Sequence, residues 1–274
     1  MLLVTGVSGG LGSLIAGRLA GRDDVVLGTR SPGDAGERRV DFDDPRTLAE
    51  AFTGVDTLLL ISAGYGEDDE VIARHDAAIT AAEKAGVGHV VYTSLSGDGD
   101  HLTYALAHRW TERRLRESSL SRTVLRNGLY AELLAFLAAP GPDGVVTAPL
   151  GTGRLAAVAR DDLAEVAVRV ALDPARHAGR TYELVGEVPL GGTELAAVAG
   201  AAYVPGTLAG ARTRIAGSGA LPFQVPMLVG TYAVIAAGFM DGSRIPQGER
   251  GALRELLGRA PRDAAAVYRD ALPR

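Results

Sequence analysis

The strongest constraint on this fold lies in the first twelve residues, which read Met-Leu-Leu-Val-Thr-Gly-Val-Ser-Gly-Gly-Leu-Gly. The apolar run at residues 2–5 leads into Gly6, and an amphipathic pattern with Leu14, Ile15 and Leu19 begins just beyond. A strand, a tight glycine turn and a helix start in this order can hold a pyrophosphate, because the N–H groups and the dipole of the first helical turn face the anion. We therefore expect a dinucleotide site here.

The spacing of the glycines assigns a task to each part of the turn. Gly6 permits the turn itself, Gly9 and Gly10 let the backbone approach the phosphates, and Gly12 lets the helix pack on the strand. An ordinary strand-to-helix turn is the alternative, but the strand before and the helix after favour the dinucleotide site. The candidate pyrophosphate ligands are Gly6, Ser8, Gly9, Gly10, Leu11 and Gly12.

Composition narrows the class of protein further. The 274 residues are 47% hydrophobic and 22% charged, enough for a full α/β core with or without a smaller lobe. The chain has no cysteine, which excludes disulfides and thiolate metal sites, and we expect no metal centre. The first strand starts at the N-terminus and leaves no room for a signal peptide, so we expect a cytoplasmic protein.

Charge and hydropathy limit the partners. The net charge of −5 argues against sequence-independent nucleic-acid binding. Residues 225–240 are nearly all apolar, but they are too short for a membrane span and contain Gly230 and Gly238. They predict a buried helix, with a lid or pocket wall for an apolar substrate, or a dimer face, as the alternatives. Either a monomer or a homodimer is compatible with the sequence.

Short β-type runs alternate with helical patterns along most of the chain, which indicates a parallel sheet with crossover helices. We expect strands at 2–5, 24–28, 38–41, 56–61, 89–93, 123–125 and 181–185, and helices near 48–52 and at 71–85, 102–117 and 161–171. The predicted fold is α/β, a Rossmann-type doubly wound parallel sheet with a smaller C-terminal substrate lobe. Residues 1–140 form the cofactor domain, to which 155–186 contribute a strand and a helix, and 187–274 form a mainly helical lobe.

The end of the second strand indicates which dinucleotide is bound. NAD-binding folds place an Asp or Glu there for the ribose hydroxyls, but residues 28–32 read Gly-Thr-Arg-Ser-Pro and the next carboxylate is Asp34. Arg30 offers a planar cation that can pair with a 2′-phosphate and stack on adenine. We therefore predict NADP(H), with a solvated surface arginine as the alternative.

Other strand ends supply further candidate cofactor contacts. Asp41 and Phe42 are placed to meet the adenine edge, and Ser62 and Ala63 follow the fourth strand, where the ribose passes. Plain loop residues are the alternative for these four positions. Thr93 and Ser94, at the end of the fifth strand, complete the set on this part of the chain.

The catalytic machinery of typical short-chain dehydrogenases is absent from this sequence. That machinery pairs a tyrosine with a lysine four residues later, which lowers the tyrosine pKa. Tyr104 is followed at that spacing by His108, and Lys84 is the only lysine. His108 and Glu112 share a helix face and can pair. Tyr104 and His108 are the candidate catalytic residues, with a helix-surface aromatic and a structural histidine as the alternatives.

Taken together, these segments resemble the NmrA-like branch of the atypical short-chain dehydrogenase/reductase family, and within it the type-2 NAD(P)H:quinone oxidoreductases. The resemblance rests on the motifs at residues 5–12, 58–62, 82–87, 92–95, 125–130, 159–164 and 179–186, and on His108-x-x-x-Glu112. It implies a Rossmann domain with a small lobe, direct hydride donation from NADPH and no need for a Tyr–Lys pair. It also implies that Asn127, Gly128 and Tyr130 lie near the nicotinamide.

The resemblance covers about the first 190 residues. The last third of the chain is more apolar than expected for a quinone reductase. We therefore predict NADPH-dependent hydride transfer to a small apolar aromatic substrate, namely a quinone or a related enone or ketone such as a polycyclic natural-product intermediate. A non-catalytic NADP(H)-binding redox sensor is one alternative. A non-redox isomerase or cyclase on the same fold is the other.

Overall fold

The computed structural model describes residues 1–34, 36–63 and 66–273. Its strands are β1 (Leu2–Val4), β2 (Val25–Thr29), β3 (Glu37–Arg39), β4 (Thr57–Ile61), β5 (His89–Leu95), β6 (Ser121–Asn127), β7 (Val145–Ala148), β8 (Arg154–Leu155), β9 (Thr181–Leu184), β10 (Leu190–Gly191) and β11 (Ala202–Pro205). Its helices are α1 (Gly10–Leu19), α2 (Arg46–Ala51), α3 (Asp68–Ala85), α4 (Ala105–Glu117), α5 (Ala131–Leu137), α6 (Arg160–Leu172), α7 (Pro174–His177), α8 (Gly192–Val198), α9 (Leu208–Ala216), α10 (Gln224–Ala236), α11 (Ala252–Leu257) and α12 (Ala264–Ala271). A short 3₁₀ helix spans Gly97–His101.

A seven-stranded parallel sheet forms the centre of the fold, in the order β3-β2-β1-β4-β5-β6-β9. The chain builds outward from β1 through β2 to β3, then returns to the other side of β1 with β4. Ligands of such sheets bind beyond the carboxyl ends of the strands, at the point where the strand order reverses. That point lies between β1 and β4. The predicted α/β fold with a doubly wound parallel sheet is confirmed.

Local sequence explains the elements that carry the candidate site. All five residues of β4 and all seven of β5 are buried, as expected for strands covered on both faces. Helix α3 starts with three acidic residues, Asp68, Asp69 and Glu70, which suit the positive end of its dipole. The helix ends at Gly86, whose φ of +71° is the left-handed conformation that closes many helices.

The described chain divides into two compact units. The first comprises Met1–Ser94, Leu106–Arg126 and Leu163–Tyr182; the second comprises Leu95–Ala105, Asn127–Asp162 and Glu183–Arg274. The core of the second unit includes two fully buried tyrosines, Tyr232 and Tyr268. Their hydroxyls donate to the carbonyls of Leu137 and Ala138, so burial leaves neither phenol unsatisfied.

Several predicted boundaries were wrong. The helix predicted from residue 102 begins at Ala105, because the 3₁₀ helix and a turn come first. The strand predicted at 181–185 is present as β9, ends one residue earlier at Leu184, and lies beside β6 in the main sheet. The segment 187–274 is mainly helical, as expected, but it also contains the strand β11, which pairs in parallel with β7. The apolar segment 225–240 forms α10 only as far as Ala236. No helix in the described part of the chain is long and apolar enough to cross a membrane.

Candidate active site

The turn between β1 and α1 has the geometry that a pyrophosphate site needs. Gly6 adopts a φ of +66°, and the N–H of Gly9 donates to its carbonyl at 3.1 Å, which closes the turn. A Cβ on Gly12 would lie 2.1 Å from the Gly6 carbonyl oxygen. The helix therefore approaches the turn so closely that only glycine fits, as the spacing predicted.

The start of α1 presents backbone donors to an anion. Gly9 is the N-cap residue and has no side chain to accept from the first turn, which contains no acidic residue. The N–H groups at the start of a helix have no partner within it, and the dipole adds positive potential there. Ser8, Gly9 and Gly10 are exposed, whereas Leu11 is buried. A phosphate can therefore reach this backbone.

One arginine at the end of β2 is available for a ligand. Arg30 directly follows β2, is exposed, and has no hydrogen bond or ion pair among residues 1–34, 36–63 and 66–273. The carboxylate of Glu37 is occupied by the N–H groups of Gly33 and Asp34, at 2.7 and 3.3 Å. Arg39, on the neighbouring strand, lies 4.0 Å from Asp41. Among the described residues, no carboxylate therefore competes for the Arg30 guanidinium.

The two residues predicted to meet the adenine lie just beyond β3. The N–H of Asp41 donates to the Thr47 hydroxyl at 3.0 Å, and the Asp41 carboxylate accepts the N–H of Asp43 at 3.1 Å. These bonds fix the backbone at the carboxyl end of β3. Phe42 is partly buried and packs against the apolar core of the first unit.

The backbone after β4 is held from two directions. The N–H of Ser62 donates to the Thr93 hydroxyl at 2.9 Å, and the N–H of Ala63 donates to Nε2 of His75 at 2.9 Å. His75 is fully buried on α3. Burial, together with the nearby charges of His108 and Arg74, lowers the pKa of His75 to about 3, so this imidazole is neutral at physiological pH.

His108 is bonded to a buried tyrosine. Its Nδ1 lies 2.9 Å from the Tyr92 hydroxyl, and Tyr92 is fully buried on β5. Burial and the charge of Arg109 lower the pKa of His108 to about 4. Burial raises the pKa of Tyr92 well above its usual value. Both groups are therefore neutral near pH 7, and His108 offers a hydrogen bond rather than an acidic proton.

The predicted pairing of His108 with Glu112 was wrong, because other groups occupy the carboxylate. Glu112 is buried and accepts from Ser94 at 2.6 Å, from Arg109 at 2.8 Å, and from two nitrogens of Arg126 at 2.9 and 2.7 Å. Burial opposes ionisation, but these hydrogen bonds and charges outweigh it and lower the pKa of Glu112. Ser94, predicted as a cofactor contact, is thus also part of a charged network.

The remaining predicted site residues belong to the second unit. Asn127 ends β6 and is buried, and its side-chain oxygen has no hydrogen-bond partner in the described ranges. The guanidinium carbon of Arg160 lies over the Tyr130 ring, 4.6 Å from the centre of that ring. The Tyr104 hydroxyl is 3.5 Å from that of Thr231, and burial raises the pKa of Tyr104 to about 12. Burial therefore outweighs the hydrogen bond from Thr231, and Tyr104 keeps its proton at neutral pH.

Sequence reasoning missed four residues that support these positions. They are His75, Thr111, Arg126 and Arg160. His75 and Thr111 sit at ordinary helical positions, and only tertiary packing shows that each holds a polar partner. Groups of three or more side chains suited to a metal do not occur in the described ranges.

Fold and site together define a dinucleotide-binding protein with a Rossmann-type sheet. The sequence model of a family described as NAD(P)H-binding matches residues 6–174. The chain is 36% identical over 210 residues to quinone oxidoreductase 2 of Escherichia coli, and the match covers 72% of each protein. The chain therefore belongs to the NAD(P)H-binding family, and a nicotinamide dinucleotide is its cofactor class.

Solved structures agree with this membership. The crystal structure of Citrobacter sp. triphenylmethane reductase complexed with NADP(H) superposes with a TM-score of 0.87, at 26% identity over 99% of each chain. That of the Escherichia coli NADPH-dependent quinone oxidoreductase complexed with NADPH gives 0.83, at 29% identity over 98% of each chain. The resemblance predicted from the sequence motifs is confirmed, and the relatives support an oxidoreductase.

Proposed function

We propose that this protein is an NADPH-dependent reductase that transfers hydride directly to a quinone or a related apolar enone or ketone. The observation that carries the proposal is the glycine turn before α1, with no room for a Cβ at Gly12, in a chain 36% identical to a quinone oxidoreductase. The lack of a lysine four residues after Tyr104 agrees with this chemistry, because a quinone accepts hydride without an ionised tyrosine.

The cofactor would lie along the carboxyl ends of the strands in the first unit. In this proposal Gly6, Ser8 and residues 9–12 hold the pyrophosphate, and Asp41 and Phe42 border the adenine. Ser62, Ala63, Thr93 and Ser94 line the ribose on the nicotinamide side. Asn127 and Tyr130 bind at the nicotinamide, where the Asn127 side-chain oxygen, which has no hydrogen-bond partner among the described residues, suits the amide N–H groups of a carboxamide.

The preference for NADPH over NADH is assigned to Arg30. A guanidinium can make two parallel hydrogen bonds to a phosphate, and Arg30 has no competing carboxylate in the described chain. The nearest acid on β3, Glu37, is bonded to backbone N–H groups instead. No carboxylate at the end of β2 takes the position that favours NAD in other dinucleotide-binding folds.

The reaction balances with one proton besides the hydride. NADPH, the quinone and H⁺ give NADP⁺ and the hydroquinone, and the hydride carries both electrons. At neutral pH His108 and Tyr104 are uncharged and not activated as acids, so we assign them hydrogen-bonding roles toward the substrate oxygen and draw the proton from solvent. The enzyme then contributes the orientation of the substrate against the nicotinamide.

The substrate lobe is proposed to lie within residues 187–274, with residues 1–140 and 155–186 forming the cofactor domain. Helix α10 carries half-buried apolar side chains at Met227, Leu228 and Val229, which favour a flat apolar substrate over a charged one. Polycyclic quinones are therefore included among the candidates.

Steady-state turnover tests the proposal. Purified protein is mixed with NADPH or NADH and a panel of simple and polycyclic quinones, and the nicotinamide absorbance is followed. Quinone-dependent oxidation that prefers NADPH is expected. Tight NADPH binding with no oxidation by any acceptor would overturn the reductase assignment in favour of a redox sensor or a non-redox enzyme.

A further inference from the structure

Two consecutive backbone donors after β4 are bound by side chains from different elements. Thr93 of β5 accepts from Ser62 at 2.9 Å, and His75 of α3 accepts from Ala63 at 2.9 Å. Loop backbone at the end of a strand usually meets solvent or ligand. Here its N–H groups turn inward to groups that are themselves buried, so the loop begins in one fixed conformation.

The hydrogen bonds determine the tautomer of His75. Nε2 accepts from the N–H of Ala63, so the single proton of the neutral ring is on Nδ1. Nδ1 lies 2.8 Å from the Thr111 hydroxyl, and that hydroxyl donates to the carbonyl of Ala107 at 2.7 Å. Every donor in this series of hydrogen bonds, from Ala63 through His75 to Thr111, has an acceptor. Thr111 therefore holds the ring in the orientation in which Nε2 is free for Ala63.

The direction of one carbonyl follows from the geometry of the peptide. The described chain contains no cis peptide bond, and in a planar trans peptide the N–H and the preceding carbonyl point in opposite directions. Because the N–H of Ala63 points at His75, the Ser62 carbonyl points away from this buried imidazole. A carbonyl that faces away from the imidazole at this edge of the sheet can accept a hydrogen bond from a ligand hydroxyl.

We propose that His75 is a positioning residue that orients the Ser62–Ala63 peptide so that the Ser62 carbonyl accepts a hydrogen bond from a ribose hydroxyl of the nicotinamide cofactor. The inference rests on the cofactor site proposed above. His75 does not touch the cofactor; it acts through the peptide, and Thr111 acts through His75. The ring is uncharged throughout the physiological range, so this role does not depend on pH between 5 and 8.

Two substitutions of His75 test the roles of its two ring nitrogens separately. In His75→Asn the amide nitrogen can replace Nδ1 and still donate to Thr111, but nothing replaces Nε2. In His75→Gln the side-chain oxygen reaches the place of Nε2 and can accept from Ala63. The readouts are the Kd of NADPH from titration of nicotinamide fluorescence and kcat with a quinone at saturating NADPH.

The proposal predicts that the substitutions change the Kd of NADPH and leave kcat nearly unchanged. His75→Asn should raise the Kd of NADPH about tenfold with kcat within about twofold, and His75→Gln should restore the Kd to within about threefold. The matched control is His89→Asn, which removes another buried histidine, at the amino end of β5, where it bonds Thr123 and Ser121. This variant should lose stability and keep its Kd.

Failure of the proposed function and failure of the positioning role give different results. If the wild-type protein does not bind NADPH, the proposed function itself is wrong. If the wild type binds but a folded His75→Asn binds equally well, or if His75→Gln is as impaired as His75→Asn, only the positioning role is wrong. Should His75→Asn not fold, Thr111→Val replaces it, and an unchanged Kd again contradicts the proposal. Nitrogen NMR of the wild type must also show the proton on Nδ1, and a proton on Nε2 would overturn the assignment.

Discussion

At the scale of single residues, the choice of cofactor is proposed to depend on one exposed charge, that of Arg30. Replacing Arg30 with alanine should reduce the ratio of kcat/KM for NADPH over NADH by about 10- to 100-fold, because charge-assisted hydrogen bonds to the 2′-phosphate are lost and NADH has no such phosphate. Steady-state kinetics with both cofactors measure the ratio. Arg22→Ala is the matched control, since Arg22 precedes β2 and is bonded to Asp24. An unchanged ratio in Arg30→Ala would mean that another part of the protein determines the preference for NADPH.

Buried neutral histidines should make the protein sensitive to acid. The folded-state pKa values of His75 and His108 are lowered to about 3 and about 4, from an unfolded value near 6.5. The unfolded chain therefore binds more protons below pH 6.5, so stability is complete above that pH and is lost as the pH falls toward 4. Burial lowers the pKa of His89 and His177 as well, which adds to the effect.

Urea denaturation at a series of pH values measures this loss. Each of the two strongly shifted histidines contributes a slope of up to about 1.4 kcal/mol per pH unit below pH 6.5. His75→Gln, which removes one titrating ring, should show a shallower slope than the wild type. Equal slopes for both proteins would mean that His75 does not stay neutral in the folded state.

At the scale of elements, the packing of α1 against the turn before it can be tested with two glycines of the same helix. Gly12→Ala places a Cβ 2.1 Å from the Gly6 carbonyl oxygen and forces the helix away from the turn. We expect a loss of about 1–3 kcal/mol in the free energy of unfolding and at least about tenfold weaker NADPH binding.

Gly17→Ala is the control for this change, because a Cβ on Gly17 meets nothing within 4 Å. A helix-interior glycine replaced by alanine should stabilise the protein by about 0.5–1 kcal/mol and leave the NADPH affinity unchanged. Fluorescence titration and denaturation report both quantities. If Gly12→Ala bound NADPH normally, the close approach of helix and turn would not matter for the site.

The elements also show what the sequence can reveal. The turn before α1 could be predicted because its signal is local: apolar residues, spaced glycines and a helix follow one another within twenty positions. The prediction for Arg30 at the end of β2 rests on the same kind of local signal. His75 and Thr111 could not be found, since they are 36 residues apart on different helices and only packing joins them. The pairing expected for His108 failed because Arg109 and Arg126 reach Glu112.

Local signals also fail where strand pairing is remote. The run at 181–185 was predicted as a strand, but nothing in it indicates that it would lie beside β6. Likewise β11 follows a helix and is stabilised by β7, more than fifty residues earlier, so its own sequence says little.

At the scale of the whole molecule, cofactor binding should appear as thermal stability. A ligand that binds only the folded state adds RT ln(1 + [L]/Kd), about 2.7 kcal/mol at a hundredfold excess over Kd. NADPH should therefore raise the midpoint of thermal unfolding more than NADH does at the same concentration. In Arg30→Ala the two cofactors should give similar shifts. Equal shifts in the wild type would contradict the assigned preference.

A single turnover tests direct hydride transfer from NADPH to a quinone. Enzyme saturated with NADPH is mixed with a polycyclic quinone, and the nicotinamide and hydroquinone signals are recorded together, with C4-deuterated NADPH in a parallel run. Direct hydride transfer predicts loss of NADPH and appearance of hydroquinone in equal amounts and at one rate, which deuterium slows. Bound NADPH that persists in the presence of every quinone tested would contradict direct hydride transfer.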